Sequence, residues 1–74
     1  MLSISEIQSR ITTKGNMAPS SDKVTEALYN PNKWIRCGKN GINYLKKFIN
    51  SDGSEVLLFG DKSDDSKNGI ILLT

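Results

Sequence analysis

The dipeptide Asn30-Pro31 separates two parts of this chain that differ in apolar periodicity. Before it, apolar residues recur at spacings of three and four, which is typical of amphipathic helices. After it, short apolar runs alternate with turns that contain glycine and asparagine, which is typical of antiparallel strands. Because proline drives the preceding residue out of helical backbone space, a helix ends here. The pattern predicts an α+β fold, with two short N-terminal helices followed by an antiparallel β hairpin and meander.

Capping signals mark the start of both helices predicted over residues 3–30. Ser3 stands three residues before Glu6, the spacing at which hydroxyl and carboxylate satisfy each other's free backbone N–H groups. Ser20 or Ser21 can cap the second helix. Gly15 is the expected left-handed residue directly after the last turn of the first helix. The apolar stripes consist of Ile4, Ile7 and Ile11 in the first helix and of Val24, Ala27 and Leu28 in the second.

A basic hairpin and meander are predicted over residues 33–60, followed by an acidic loop at 61–69 and a last strand at 70–73. The turn residues Gly38 to Gly41 separate a strand at 34–37 from a strand at 42–49, and Gly60 closes a strand at 55–59. Residues 42–49 also fit the helical period, although the strand is favoured. The core candidates of this part are Trp34, Ile35, Leu45, Phe48 and Ile49, and for Trp34 we expect core packing rather than base stacking.

The chain has 74 residues, enough for a single small domain over residues 1–74. A domain of this size buries only about 60% of its unfolded surface, so we expect marginal stability. The sequence contains no histidine and one cysteine, Cys37, which excludes a Cys/His zinc set and an intrachain disulfide. We therefore expect no metal, no cofactor and no enzymatic activity, and Cys37 packs as a small apolar group. Since there is no apolar run of membrane-spanning or signal-peptide length, we expect a cytoplasmic location, or a nucleoid or host-cell intracellular one, without membrane binding.

Charge is distributed unevenly along the chain. Residues 1–50 carry eight Lys or Arg against three Asp or Glu, a net +5. Residues 51–74 carry two Lys against five Asp or Glu, a net −3. This asymmetry points to an anionic partner for the basic part, although a solvated surface of mixed charge is the simpler interpretation.

Two groups of polar residues are candidates for contact with nucleic acid. In a helix-turn-helix the second helix enters the major groove, and basic side chains on a hairpin can meet phosphates. This interpretation requires the basic residues to share one surface, and lysines on a hairpin can instead serve to block edge pairing. The candidates are Ser20, Ser21, Lys23 and Thr25 on the second helix, and Lys33, Arg36, Lys39, Asn40, Lys46 and Lys47 on the hairpin.

Residues 4–45 resemble a winged helix, and more narrowly the HARE-type helix-turn-helix domains. The resemblance rests on Ser5-Glu6-Ile7, on the segment from Pro19 through Ala27-Leu28-Tyr29, and on Trp34-Ile35-Arg36 ahead of the turn Gly38-Lys39-Asn40-Gly41. It implies that Ser20, Ser21, Lys23 and Thr25 form a recognition-helix face and that Arg36, Lys39 and Asn40 make the wing contacts. Winged-helix domains have a further helix before the two helices that are predicted here. We therefore expect the meander over 50–74, or a second copy of the chain, to cover the apolar face that this helix would cover in the family.

Two functions follow as hypotheses. The first is a regulatory protein that binds duplex DNA through the second helix and a basic wing. The second is a protein-binding module, such as a small inhibitor or regulator encoded by a phage or mobile element. It would act through a free sheet edge at 55–59 or 70–73, or through the acidic tail. The partners implied are duplex nucleic acid or a larger protein, with a second copy of the chain as a further candidate.

Overall fold

A computed structural model describes residues 2–13, 15, 18–64 and 69–74, and within these ranges it contains two α-helices packed on one face of a four-stranded antiparallel sheet. The predicted α+β fold, two short helices followed by a meander, is confirmed. Lys14 and residues 65–68, which the predictions place in the first helix and the acidic loop, lie outside the described residues. The elements are α1 (Ile4–Thr13), α2 (Ser21–Tyr29), β1 (Ile35–Cys37), β2 (Asn43–Ile49), β3 (Glu55–Gly60) and β4 (Gly69–Leu72).

The capping box predicted for α1 is present. The backbone N–H of Ser3 donates to Glu6 Oε1 at 3.1 Å, and the backbone N–H of Glu6 donates to Ser3 Oγ at 3.2 Å. These hydrogen bonds, foremost the one from the Ser3 backbone, hold the pKa of the Glu6 carboxyl below its ordinary value of 4.5. After the helix, Gly15 has a φ of +86° and donates its N–H to the Thr12 carbonyl at 3.0 Å. Local sequence thus determines both ends of α1.

Ser20, rather than Ser21, caps α2. Its Oγ accepts a hydrogen bond from the backbone N–H of Lys23 at 3.3 Å, while Ser21 is the first helical residue. At the other end Asn30 donates its backbone N–H to Ala27 and its side-chain amide to the Glu26 carbonyl. The helix stops at the predicted break before proline. With ten and nine residues, neither described helix is long and apolar enough to cross a membrane.

The sheet is a simple meander with strand order β1-β2-β3-β4. Asn43–Ile49 pairs with β1 on one side and with β3 on the other, so the alternative helix over 42–49 is wrong. The expectation that residues 55–59 offer a free edge is also wrong, because β3 lies between β2 and β4. The edge strands are β1 and β4. The predicted edge at 70–73 is therefore present, with the strand itself spanning Gly69–Leu72.

One face of the sheet packs against both helices and forms the core. Leu45 faces Ile35 on one neighbouring strand and Phe59 on the other, and Leu57 faces Ile71. Residues of the second half of the meander thus pack in the same apolar cluster as the buried residues of both helices. The buried core consists of Ile7, Ile11, Val24, Ala27, Ile35, Cys37, Leu45, Leu57, Phe59, Ile71 and Leu73.

Three of the five core candidates in the hairpin do not belong to this core. Ile35 and Leu45 are buried, but Trp34 and Phe48 are only half-buried and Ile49 is 44% exposed. Successive strand residues point to opposite faces, and the helices cover one face only. We call the other side the open face. Its strand positions are Arg36, Tyr44, Lys46, Phe48, Val56, Leu58, Gly60, Ile70 and Leu72.

Candidate nucleic-acid interface

An open cavity of about 430 Å³ lies at the outer side of β1, between the first turn of α2 and the connection from β1 to β2. We call it the edge cavity. Four predicted site residues line it, namely Ser20, Lys23, Arg36 and Lys39. The remaining lining residues are Ala18, Cys37, Gly38 and Gly41. Three cations that are separated in sequence therefore meet at one site.

Glycine conformation shapes the turn that carries Lys39 into this cavity. Gly38 has a φ of +80°, and a Cβ there would lie 2.7 Å from the side-chain nitrogen of Asn43. Gly41 has a φ of +64°, and a Cβ there would be 3.7 Å from Cδ of Arg36. A side chain at Gly38 would be strained and crowded, whereas Gly41 packs loosely on the Arg36 stem. The tight turn brings the backbone at Gly41 close to the Arg36 side chain.

The electrostatics of the edge cavity are positive. Among the described residues that line it, none is acidic. Lys23 pairs with Glu26 at 3.5 Å, but both side chains are nearly half-exposed, so the pair is weak. The first turn of α2 adds its partial positive charge, which Asp22 in that turn offsets in part. The site is suited to a phosphate or another anion that keeps most of its hydration.

Cys37 forms an apolar part of the cavity wall. Its side chain is 4% exposed, and burial raises the pKa of the thiol above its ordinary value of 9.0, although the Lys23 charge acts in the opposite direction. The thiol is therefore neutral at physiological pH. Its role is packing, as predicted from the sequence.

Thr25 and Lys47 lie elsewhere. Both line a second cavity of about 340 Å³, together with Ile4, Leu28 and Tyr29. Thr25 donates its hydroxyl to the Ser21 carbonyl at 2.8 Å, and Lys47 forms an ion pair with Glu55. The expectation that all basic residues of the hairpin share one surface is therefore wrong, and the requirement for a shared basic surface is met only in part, by Lys23, Arg36 and Lys39 at the edge cavity. Lys46 and Lys47 are consecutive on a strand, so they must point to opposite faces.

Lys46 occupies the open face within a group of aromatic rings. Its Nζ lies 5.4 Å from the ring centroid of Trp34 and 5.8 Å from that of Phe48. The rings of Trp34 and Tyr44 form an edge-to-face pair with centroids 6.3 Å apart and an interplanar angle of 84°. Arg36 stands opposite Tyr44 in the register and borders the edge cavity. We call Trp34, Arg36, Tyr44, Lys46 and Phe48 the aromatic-basic patch.

The remaining predicted site residues flank these two surfaces. Ser21 is exposed at the start of α2, Lys33 is exposed before β1, and Asn40 is exposed in the turn with a φ of +64°. None of the three lines the edge cavity. They stay candidates for peripheral contacts with a large ligand.

Sequence reasoning groups the basic residues of the hairpin around Trp34, Tyr44 and Phe48, but it assigns Trp34 and Phe48 to the core rather than to a surface patch. A signal was present in the spacing of Tyr44, Lys46 and Phe48, which alternate along one strand and must share a face. Assigning that face to solvent required knowing that both helices pack on the other side.

Within residues 2–13, 15, 18–64 and 69–74, no group of three or more His, Cys, Asp or Glu side chains could hold a metal ion. No protein-family model, curated protein or solved structure matches this chain.

Proposed function

We propose that this protein binds duplex nucleic acid by contacting its phosphate backbone at the edge cavity. The observation that carries the proposal is the convergence of Lys23, Arg36 and Lys39 on one open site beside the first turn of α2. Lys23 comes from α2, whereas Arg36 and Lys39 come from β1 and the turn after it, and the site contains no carboxylate among its described lining residues.

Phosphate contact is the chemistry that this arrangement supports best. Arg36 can bind two phosphate oxygens with its planar guanidinium, and Lys23 and Lys39 can act as point charges. Such contacts release counterions, so the affinity is independent of base sequence and falls steeply with salt. The position of α2 adds a second kind of contact, because the N-terminal residues of a helix that lies beside a groove of the duplex can reach base edges.

A salt series tests the proposal. Fluorescence anisotropy of a labelled mixed-sequence duplex is measured with the protein at about 50 and 200 mM salt. We expect micromolar binding at the lower salt and roughly tenfold or greater weakening at the higher salt, the size that several phosphate contacts produce. The double variant Arg36→Ala/Lys39→Ala should lose most of this affinity.

The matched control is Arg10→Ala. It removes one positive charge from α1, whose residues do not line the edge cavity. If Arg10→Ala weakens binding as much as Arg36→Ala or Lys39→Ala alone, binding depends on net charge and not on the edge cavity. If the protein does not bind the duplex even at the lower salt, the proposal is wrong.

A specific observation at β4 favours a second candidate function, protein binding by strand addition. Among the described residues, β4 has no strand neighbour on its outer side, and Ile70 and Leu72 are 52% and 63% exposed. The chain just beyond its far end is covered, because Leu2 donates its N–H to the Leu73 carbonyl at 3.0 Å. An exposed apolar edge strand can pair with a strand of another protein or of a second copy.

Sedimentation measurements test this second function with the chain itself as the partner. We expect reversible self-association of the unchanged protein, and Leu72→Lys should abolish it without unfolding the monomer because position 72 is exposed. A protein that stays monomeric at high concentration would remove the homodimer from consideration.

A further inference from the structure

We propose that the aromatic-basic patch is a second nucleic-acid site, which binds single-stranded nucleic acid by stacking unpaired bases on its rings. This inference goes beyond the proposed function, because it concerns a different face of the sheet and a different form of nucleic acid. The two surfaces adjoin at Arg36, which lines the edge cavity and also lies at an open-face position.

The patch combines the two components that single-stranded nucleic acid requires. Three aromatic side chains supply ring surface for bases, and two cations supply charge for the phosphates between them. The rings are only half-buried, although they are large enough to fill a core. Both described helices pack on the other face of the sheet, so neither helix covers the part of each ring that remains accessible to a planar ligand.

Contacts within the patch hold the rings in place. The edge-to-face pair of Trp34 and Tyr44 and the position of Lys46 near Trp34 and Phe48 restrict side-chain rotation before any ligand arrives. Less rotamer freedom is then lost on binding, which favours affinity. On the same face of the adjacent strand β3, Val56 and Leu58 lie opposite Phe48 and Lys46 and are only 2% and 6% exposed.

Base stacking distinguishes a single strand from a duplex. In a duplex the faces of the bases are hidden in the stack, so aromatic side chains on a flat sheet cannot reach them. An unpaired strand can splay its bases onto the rings while its phosphates meet Arg36 and Lys46. The chemistry of the patch therefore fits an unpaired strand better than a duplex.

Charge argues against a second copy of the chain as the occupant. A twofold dimer through this patch would place Arg36 and Lys46 of one copy against the same cations of the other. A polyanion is the partner of complementary charge.

The single tryptophan of the chain, Trp34, provides a direct readout of stacking. We expect oligothymidylate of about 16 nucleotides, a length that spans one such site, to quench Trp34 emission on binding. At the patch, the affinity for oligothymidylate should exceed the affinity for a duplex of equal length. A duplex bound at the edge cavity should leave Trp34 emission nearly unchanged.

Two sets of variants separate this site from the edge cavity. Tyr44→Leu and Phe48→Leu keep apolar bulk on β2 but remove a ring, and each should weaken oligothymidylate binding roughly tenfold, the size of one lost stack. Both should leave duplex binding unchanged. Lys23→Ala and Lys39→Ala should weaken duplex binding and leave oligothymidylate binding unchanged. Circular dichroism checks that each variant is folded.

The possible failures are distinguishable. If duplex binding depends on Lys23 and Lys39 but oligothymidylate neither binds nor quenches Trp34, the edge-cavity proposal stands and this inference is wrong. If quenching persists at full strength in both Tyr44→Leu and Phe48→Leu, the bases do not stack on the patch and the inference is wrong. If Trp34 emission changes with protein concentration alone, the patch is a contact between copies and the inference is again overturned.

Discussion

Lys46 and Lys47 are neighbours on β2, yet their side chains have different surroundings. Lys46 lies among the rings of the open face, whereas Lys47 is 12% exposed and paired with Glu55 on the helix side. Of these two lysines, Lys46 is the one that lies on the face where a ligand of the aromatic-basic patch would bind. A count of basic residues along the hairpin therefore overstates the charge that any one surface presents.

Cys37 tests how tightly the wall of the edge cavity is packed. Because burial raises the pKa of its thiol, little thiolate forms at pH 8, and access is limited as well. We expect its reaction with a thiol reagent at pH 8 to be roughly tenfold or more slower in the folded protein than in urea. Equal rates in the two states, followed spectroscopically, would show that the wall opens readily.

Gly38→Ala tests the turn beside the same cavity, and Gly53→Ala is its matched control. Both glycines have a positive φ, of +80° and +87°, so both substitutions should cost about 1 kcal/mol for the left-handed backbone. At Gly38 the new Cβ also meets Asn43, whereas nothing lies within 4 Å at Gly53. Urea unfolding should therefore rank Gly38→Ala as the less stable, and the reverse order would contradict the geometry of the turn.

At the scale of elements, the ends of the helices depend on a few short-range hydrogen bonds. The capping box satisfies backbone N–H groups at Ser3 and Glu6, and Ser20 does the same for α2. Without such partners these donors would depend on water alone. A helix of nine or ten residues is too short to be stable by itself, so caps and packing must act together.

The capping box of α1 predicts a specific pH dependence. Since folding lowers the pKa of Glu6, its ionised form stabilises the protein above pH 4.5, and this contribution is lost as pH falls through the folded-state pKa. Thermal unfolding of Glu6→Gln and of the unchanged protein should differ most at pH 7 and converge toward pH 3. Ser3→Ala should cost about 1 kcal/mol at pH 7. A constant difference between Glu6→Gln and the unchanged protein at all pH values would exclude this role for the carboxylate.

At the scale of the whole molecule, one apolar layer between the helices and the sheet holds the fold together. For a chain of 74 residues the total free energy of unfolding is about 4–11 kcal/mol. Leu57 and Phe59 are central to this layer, with exposures of 0% and 1%. A single cavity in the layer therefore removes a large share of the total stability.

Leu57→Ala and Leu72→Ala test this dependence on one layer. Leu57 is fully buried in the core, and its replacement should cost about 2–5 kcal/mol because a cavity remains. Leu72 is 63% exposed on the adjacent strand, and its replacement should change stability by less than about 0.5 kcal/mol. Chemical denaturation measures both, and similar losses in the two variants would indicate that the open face is covered in solution.

The boundaries of the elements could be predicted from the sequence because their signals are short-range. Ser3, Glu6 and Gly15 determine α1, and Pro31 ends α2 through steric effects on its immediate neighbour. The strand at 43–49 followed from turn residues on both sides. These signals act within a few residues, so neither sheet topology nor packing is needed to interpret them.

Only the tertiary structure decided which face of the sheet is covered, which strands are edges and which cations meet. Trp34 and Phe48 carry the same apolar character as the buried Ile35 and Leu45, yet on the face away from the helices they are only half-buried. Lys23 and Lys39 approach one cavity because α2 packs beside β1. Such contacts depend on the register between strands and on the face of the sheet against which the helices pack. Both are set by the burial of the whole apolar layer rather than by any local pattern.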